Sequence, residues 1–548
     1  MRARGDHQHA VGAAPRGRPD QGAHLGAPLR LICILVVLAG ITAHAAPADE
    51  ADRLDALLDA WAVSEAAPQI AELLERAPQD GRVLRVAGKL AFLQGEYERA
   101  SKLLERARSI LPVEDDFLLE RVRATLTAAR RMRVVEHGRF RFLIASDSPD
   151  GILVGYAAEA LEAQIAALTS DLGWRPEGRL RVEFLPDTQT LSRFTGLDTE
   201  AIETSSTIAV AKWNKLMVTS PRAALRGYSW RTTVCHELTH LALAQLSRNR
   251  APLWLQEGMA KMLDGRHEQT LEQITLDPRA RHLLALAVKS DRLIPFSRMR
   301  PSFAYLPSEE SMALAFGQVW TLVRMMYEEQ GTAGLRRLLS LMAEGKSEDE
   351  ALAAVYGGGF DVLADRWQSY LRKQRFEPLA RLAHYGLEFA PRGADADKRE
   401  RARIKEKRVR DHLTLGDLLY ARRRVRAASV EYGRAAKQSQ LAHPLVQRRL
   451  ARTLTETGRR ERAAEILEQT LELYPNHPAV LVDRGELALA AGNRVRALEI
   501  FETVIGIHPF DPRPHAALAR LHADAGQAVL ARREREVLRV LQYWLEER

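Results

Sequence analysis

The sequence predicts a mostly helical chain with one α+β domain at its centre and all-α arrays of helical hairpins on both sides. Three observations predict it. Ala, Leu, Arg and Glu are abundant while aromatic residues make up only 6%, a bias toward strong helix formers. The C-terminal part repeats itself with a period of 34 residues, and a further copy lies near the N-terminus. Between them, short segments from Arg139 to Thr219 alternate as strands do. At 548 residues the chain exceeds a single hydrophobic core, and 46% hydrophobic residues is ordinary for a folded protein.

The first element is a leader. Leu31–Ile41 is a short apolar run preceded by Arg30 and followed by Ala43-His44-Ala45, the small-residue pattern of a cleavage site. The run is too short for a comfortable membrane span. It reads as a signal peptide over residues 1–45, cleaved near Ala45, which makes the mature chain periplasmic or secreted with no stable membrane span. The alternative is an uncleaved leader that anchors the chain. With Cys33 in the leader and Cys235 the other cysteine, cleavage leaves no pair for a disulfide.

The repeats follow one layout. Gly458, Gly492 and Gly526 are 34 residues apart, as are Ala463, Ala497 and Ala531, and Pro475 and Pro509 keep the step. Glycine permits the tight turn between two helices, alanine lets the second helix approach the first, and proline ends the pair. Residues 415–444 form a weaker copy, with Arg423 in the glycine slot and Ala428 in the alanine slot. Gly95, Ala100 and Pro112 keep the same offsets near the N-terminus, and residues 51–78 read as a degenerate partner. The period and layout resemble the tetratricopeptide repeat, whose stacked hairpins usually bind protein segments.

The central domain opens with Arg139–Ala145, an alternating strand, then a helix over 153–171 and a second strand, Leu180–Leu185. Thr207–Ala211 and Leu216–Thr219 are expected to pair around residues 212–215. A long helix then carries His236-Glu-Leu-Thr-His240. Spaced i and i+4, the two histidines share one face, where both imidazoles reach one ion. Glu237 is offset by one residue, so it is placed to reach a water beside the ion. Neutral imidazoles and tetrahedral geometry suit zinc. Pro252–Ala260 opens a second apolar helix, and a helix–turn–helix return brings Glu257 back as the third ligand, 17 residues after His240. The competing role for Glu257 is a salt bridge to Lys261, one turn on. Cys235 is expected to pack as a small hydrophobe.

His236-Glu-Leu-Thr-His240 followed by Pro252-Leu-Trp-Leu-Gln-Glu257-Gly-Met-Ala260 resembles the gluzincins, specifically the bacterial peptidase MA-like domains that travel with tetratricopeptide repeats. The likeness covers roughly residues 134–375, including Leu293–Ser297, Ala315–Gln318 and Phe360–Trp367. It implies a mostly helical zincin-like metallopeptidase fold, zinc ligands at His236, His240 and Glu257, a general base at Glu237, and a peptide or protein substrate laid along the strand edge of 207–219. The sequence departs from that pattern at Phe316, where related domains carry Tyr; if that hydroxyl holds the oxyanion, Tyr305 is the candidate replacement.

Residues 392–408 are charged and poor in large apolar side chains, which reads as a linker or a solvated helix. The net charge of +9 is spread through helices with interleaved signs, and no aromatic residues are interleaved with the basic ones of 392–408, so no nucleic-acid partner is expected. The expected architecture is a signal peptide (1–45), a helical repeat segment (51–133), the zincin-like domain (134–375), a charged linker (376–410) and C-terminal repeats (411–548). The expected function is zinc-dependent peptide hydrolysis with repeats recruiting substrate or a protein partner. The alternative is a catalytically impaired scaffold acting through its repeats.

Overall fold

In the computed structural model, residues 46–546 are described, apart from 61, 112–115, 177, 300–302, 304–305 and 390–392. The leader, Pro112 of the first repeat and Tyr305 fall outside the described residues. The N-terminal segment folds as α1 (Pro47–Asp59), α2 (Val63–Arg76), α3 (Gly81–Leu93), α4 (Tyr97–Ile110) and α5 (Phe117–Ala129). The central domain comprises β1 (Met132–His137), β2 (Phe140–Ala145), α6 (Leu153–Leu172), β3 (Leu180–Leu185), α7 (Thr188–Thr195), α8 (Thr199–Ser205), β4 (Ala209–Lys212), β5 (Lys215–Thr219), α9 (Trp230–Ser247), α10 (Leu253–Leu263), α11 (Pro278–Ser290), α12 (Glu309–Ala343), α13 (Glu348–Tyr356) and α14 (Phe360–Gln374). A short α15 (Ala396–Arg403) leads to the hairpins α16 (Lys407–Ala421) with α17 (Val425–Gln438), α18 (Pro444–Glu456) with α19 (Arg460–Leu473), α20 (Pro478–Ala490) with α21 (Arg494–Ile505), and α22 (Pro512–Asp524) with α23 (Ala528–Glu546).

The repeat signature has the expected physical basis. Gly95, Gly458, Gly492 and Gly526 all take left-handed backbone, with φ between +74° and +84°, and Arg423 takes the same conformation at +60°. The matching alanines, Ala100, Ala428, Ala463, Ala497 and Ala531, are fully buried between the two helices of each pair.

The sheet has five strands in the order β1-β2-β3-β5-β4, with β2, β3 and β5 parallel and the outer strands antiparallel to their neighbours. The strand period sorts its residues into two cores. Phe140, Phe142, Ile144, Val182, Phe184, Leu216 and Val218 face α6 and α9. Leu143, Leu185 and Met217 face the N-terminal helices. The sheet is thus covered on both sides, and the N-terminal repeats form its second lid. Strand β1 escaped the sequence reading because it is an edge strand exposed at most positions, with no apolar alternation to read. The β4–β5 pair turns at Trp213 and Asn214, both near φ +57°, which is the two-residue hairpin turn that follows the right-handed strand twist.

The charged stretch forms α15, and two of its acids are tied into ion pairs with other segments. Glu400 is 4% exposed. It lies 2.6 Å from Arg226, and one of its oxygens accepts the Leu445 backbone N–H at 2.6 Å, while Asp397 bridges Arg226, Arg448 and Arg449.

Candidate metal centre

Helix α9 enters the core through six residues moored to the C-terminal half of the chain. The Leu225 N–H donates to the Glu388 carbonyl at 2.8 Å and the Tyr228 N–H to the Ile507 carbonyl at 3.1 Å. The Trp230 indole N–H donates to Ile505 at 2.9 Å, and the Arg231 guanidinium to Glu502 at 2.8 Å. Gly227 lies against Ile507 so closely that a β-carbon would come within 2.2 Å of its carbonyl oxygen. Trp230 itself is fully buried, edge-on to Phe184 at 5.9 Å.

Two turns on, α9 presents His236 and His240 side by side, and α10 returns antiparallel enough to bring Glu257 between them. The His236 and His240 Nε2 atoms are 3.1 Å apart, and Glu257 Oε2 lies 3.6 Å and 3.4 Å from them respectively. These atoms form the group among the described residues able to hold a metal ion. Ligand bonds of about 2.0–2.2 Å at tetrahedral angles give donor separations of roughly 3.3–3.6 Å; two sides of the triangle lie in that range and the third, 3.1 Å, just below it, close to what a zinc-sized ion needs. The ion pair of Lys261 is with Asp264, at 3.0 Å.

The electrostatics favour a cation in the same place. Burial alone would lower the His236 imidazole, yet the Asp264 and Glu257 carboxylates push it up to about 10. Burial alone would raise Glu257, but the charge of His240 and hydrogen bonds from both rings hold it well below the usual carboxylate range. Glu237, 7% exposed, is raised by burial against the pull of the two histidines, and its carboxylate accepts the Ala211 backbone N–H.

That last bond follows from register. Lys212 and Lys215 flank the two-residue turn, so Ala211 opposite Leu216 is a non-bonded pair whose N–H and C=O point away from β5. Strand β4 is the free edge of the sheet. With α9 it walls a cleft of about 1470 Å³ that holds His236, Glu237, His240 and Glu257.

Residues invisible in the motif complete the site. Asp264 Oδ2 lies 3.5 Å from His236 Nδ1, orienting the ring from behind. Its signal was weak: it stands two turns past Glu257, on the same side of α10. Gln164 on α6 donates to Thr239 at 3.0 Å and to the Leu263 carbonyl at 2.8 Å, tying the two helices that carry the histidines and the glutamate. Cys235 is fully buried, its thiol against the Ala160 carbonyl at 3.6 Å, and burial raises its pKa. The Phe316 ring lies edge-on to His236 at 6.4 Å and to Phe303 at 5.2 Å, and it brings no hydroxyl.

Comparison with known proteins places these features. Residues 199–373 match the family model of the Peptidase MA superfamily. Tetratricopeptide repeat models match residues 52–114, 413–478 and 454–521. No curated protein matches the chain. Among solved structures, one from the functional characterization of Pseudomonas aeruginosa pilF is 14% identical, covering 42% of this chain and 96% of its own, with a TM-score of 0.23. The APC/C hetero-tetramer Cut9-Hcn1 is 13% identical, covering 87% of this chain and 82% of its own, with a TM-score of 0.26. The chain carries a Peptidase MA superfamily domain flanked on both sides by tetratricopeptide repeats.

Proposed function

We propose that this chain is an exported zinc-dependent peptidase whose repeats engage a protein substrate or partner. The observation that carries the reading is the triangle of donor atoms on His236, His240 and Glu257, with sides of 3.1, 3.4 and 3.6 Å, beside the buried carboxylate of Glu237. A zinc ion held there would supply Lewis acidity to a water and to the scissile carbonyl. Glu237 holds the proton taken from the attacking water and returns it to the leaving amine. The outward backbone groups of Ala209 and the outward carbonyl of Ala211, whose N–H Glu237 already takes, hold an extended peptide as an added strand on β4, a mode that tolerates many sequences. Asp264 fixes the His236 ring so that its Nε2 stays aimed at the site. Residues 1–45 act as the export signal.

One observation favours a second reading, a scaffold with reduced turnover: Phe316, beside His236, offers no donor to a developing oxyanion. The test separates the two. Metal content is measured on the purified mature chain, wild type beside His236→Ala and Glu257→Ala, and peptide-library turnover is compared with Glu237→Gln. The peptidase reading expects about one zinc per chain, lost in the first two variants, with Glu237→Gln keeping metal and losing activity by ~100-fold or more. A wild type that binds no zinc sinks it. Zinc without turnover in the wild type supports the scaffold.

A further inference from the structure

One face of α9 borders the cleft along the whole length of the helix. Ser229, Thr233, His236, His240, Ala244 and Arg248 all line it, spaced three or four residues apart, and so form one continuous stripe. At 1.5 Å per residue the stripe is about 29 Å long, the length of roughly eight residues of extended chain. The histidine pair stands at its middle, not at an end. The cleft also reaches Ser64 at the start of α2 and Asp277 at the start of α11.

Charge points the same way. An enzyme that trims chain ends must bind a terminal ammonium or carboxylate within about one or two residues of the scissile bond, and it needs an opposite charge there to do so. Several of the charged side chains that line the cleft are engaged with other groups of the protein. Lys261 pairs with Asp264, and Asp264 backs His236. Arg279 pairs with Glu309 at 2.6 Å, and the Asp277 carboxylate caps α11 by accepting the Ala280 N–H at 2.9 Å. The Lys212 ammonium lies over the Trp213 ring, 4.4 Å from its centroid. Arg248 stands two turns beyond His240, about 12 Å along the helix, which is three to four residues of extended chain away.

We propose that the cleft takes an internal stretch of about eight extended residues and reads neither chain terminus, so that the enzyme is an endopeptidase. The inference rests on the peptidase reading above.

The test uses a randomised decapeptide library in two forms, free at both ends or acetylated and amidated, with products identified by mass spectrometry. The expected result is internal cleavage of both forms at rates within about threefold, falling at least ~10-fold for blocked tetrapeptides. Single-residue ladders from one end, with blocked peptides inert, overturn the proposal. If no peptide is cut, the peptidase reading falls and binding decides the cleft separately. On the Glu237→Gln chain, blocked decapeptides should bind as tightly as free ones and at least ~10-fold tighter than blocked tetrapeptides. Binding that requires a free terminus, or is indifferent to length, refutes it.

Discussion

Replacing Gly227 by alanine tests whether the C-terminal repeats are part of the metal site's foundation. Gly227 has φ +68°, a conformation that costs an L-residue about 1–2 kcal/mol. Its new β-carbon would stand 2.2 Å from the Ile507 carbonyl oxygen and 3.2 Å from His508 Cα, so backbone on one side must retreat by about 1 Å to reach van der Waals contact. That retreat breaks the Tyr228 N–H bond to the same carbonyl and strands buried polar groups, at a cost of roughly 1–3 kcal/mol. The total is about 2–5 kcal/mol. Gly492→Ala is the control: φ is +77° there too, but nothing lies within 4 Å of the added carbon, so only the backbone term of about 1–2 kcal/mol remains. Urea unfolding gives the stability difference, and hydrogen exchange at the Tyr228 and Leu225 amides localises it. Zinc affinity, read by chelator competition, should fall in Gly227→Ala and hold in Gly492→Ala, because only the first loosens the first turn of α9. Equal stability and equal exchange in the two variants would refute the mooring.

Lys215 is 2% exposed beside Tyr97, and burial lowers its ammonium from the ordinary 10.5 to about 8, with Glu183 pulling the other way. The unfolded chain therefore binds the proton more tightly, the penalty is complete below pH 8, and stability should rise by up to ~3 kcal/mol as pH climbs from about 8 to 10.5; Lys215→Met should abolish that slope in urea unfolding at about pH 7 and pH 9.5, and a slope unchanged in the variant counts against it. Asp264→Asn should weaken zinc binding about 10–100-fold in chelator competition, and undiminished affinity would remove Asp264 from its role behind His236.

What could be read from the sequence was what repeats or recurs at short range. The i, i+4 spacing of His236 and His240 places two rings on one face wherever the helix lies, and the glycine–alanine offsets dictate a hairpin wherever it stacks. The Glu257 contact was legible because its neighbours form an apolar helix in which a lone carboxylate requires a partner. Contacts between distant segments left no such trace. Asp264 is an ordinary acid at the end of α10 until the fold turns it toward His236. Gly227 looks like loop glycine until Ile507 arrives from 280 residues away. The charged stretch before α16 reads as a spacer because its partners, Arg226 before α9 and Arg448 and Arg449 on α18, belong to two other segments.

Those distant contacts change what the repeats are for. A flexible recruiting arm would meet the Peptidase MA domain through a small, polar, replaceable surface. Here Ala488, Phe501, Ile505, Leu518 and Leu541 belong to the same apolar core as Phe184, Trp230 and Met259, and the N-terminal helices bury the opposite face of the sheet. Removing either array would expose apolar surface and strip α9 or β5 of its support, so the repeats cannot be cut away without loss to the site. A ligand drawn to the repeats also acts on elements that hold the donor triangle. Where the arrangement of the 502–508 turn changes metal or substrate affinity, a ligand that prefers one arrangement alters that affinity by the same factor that metal or substrate alters its own binding.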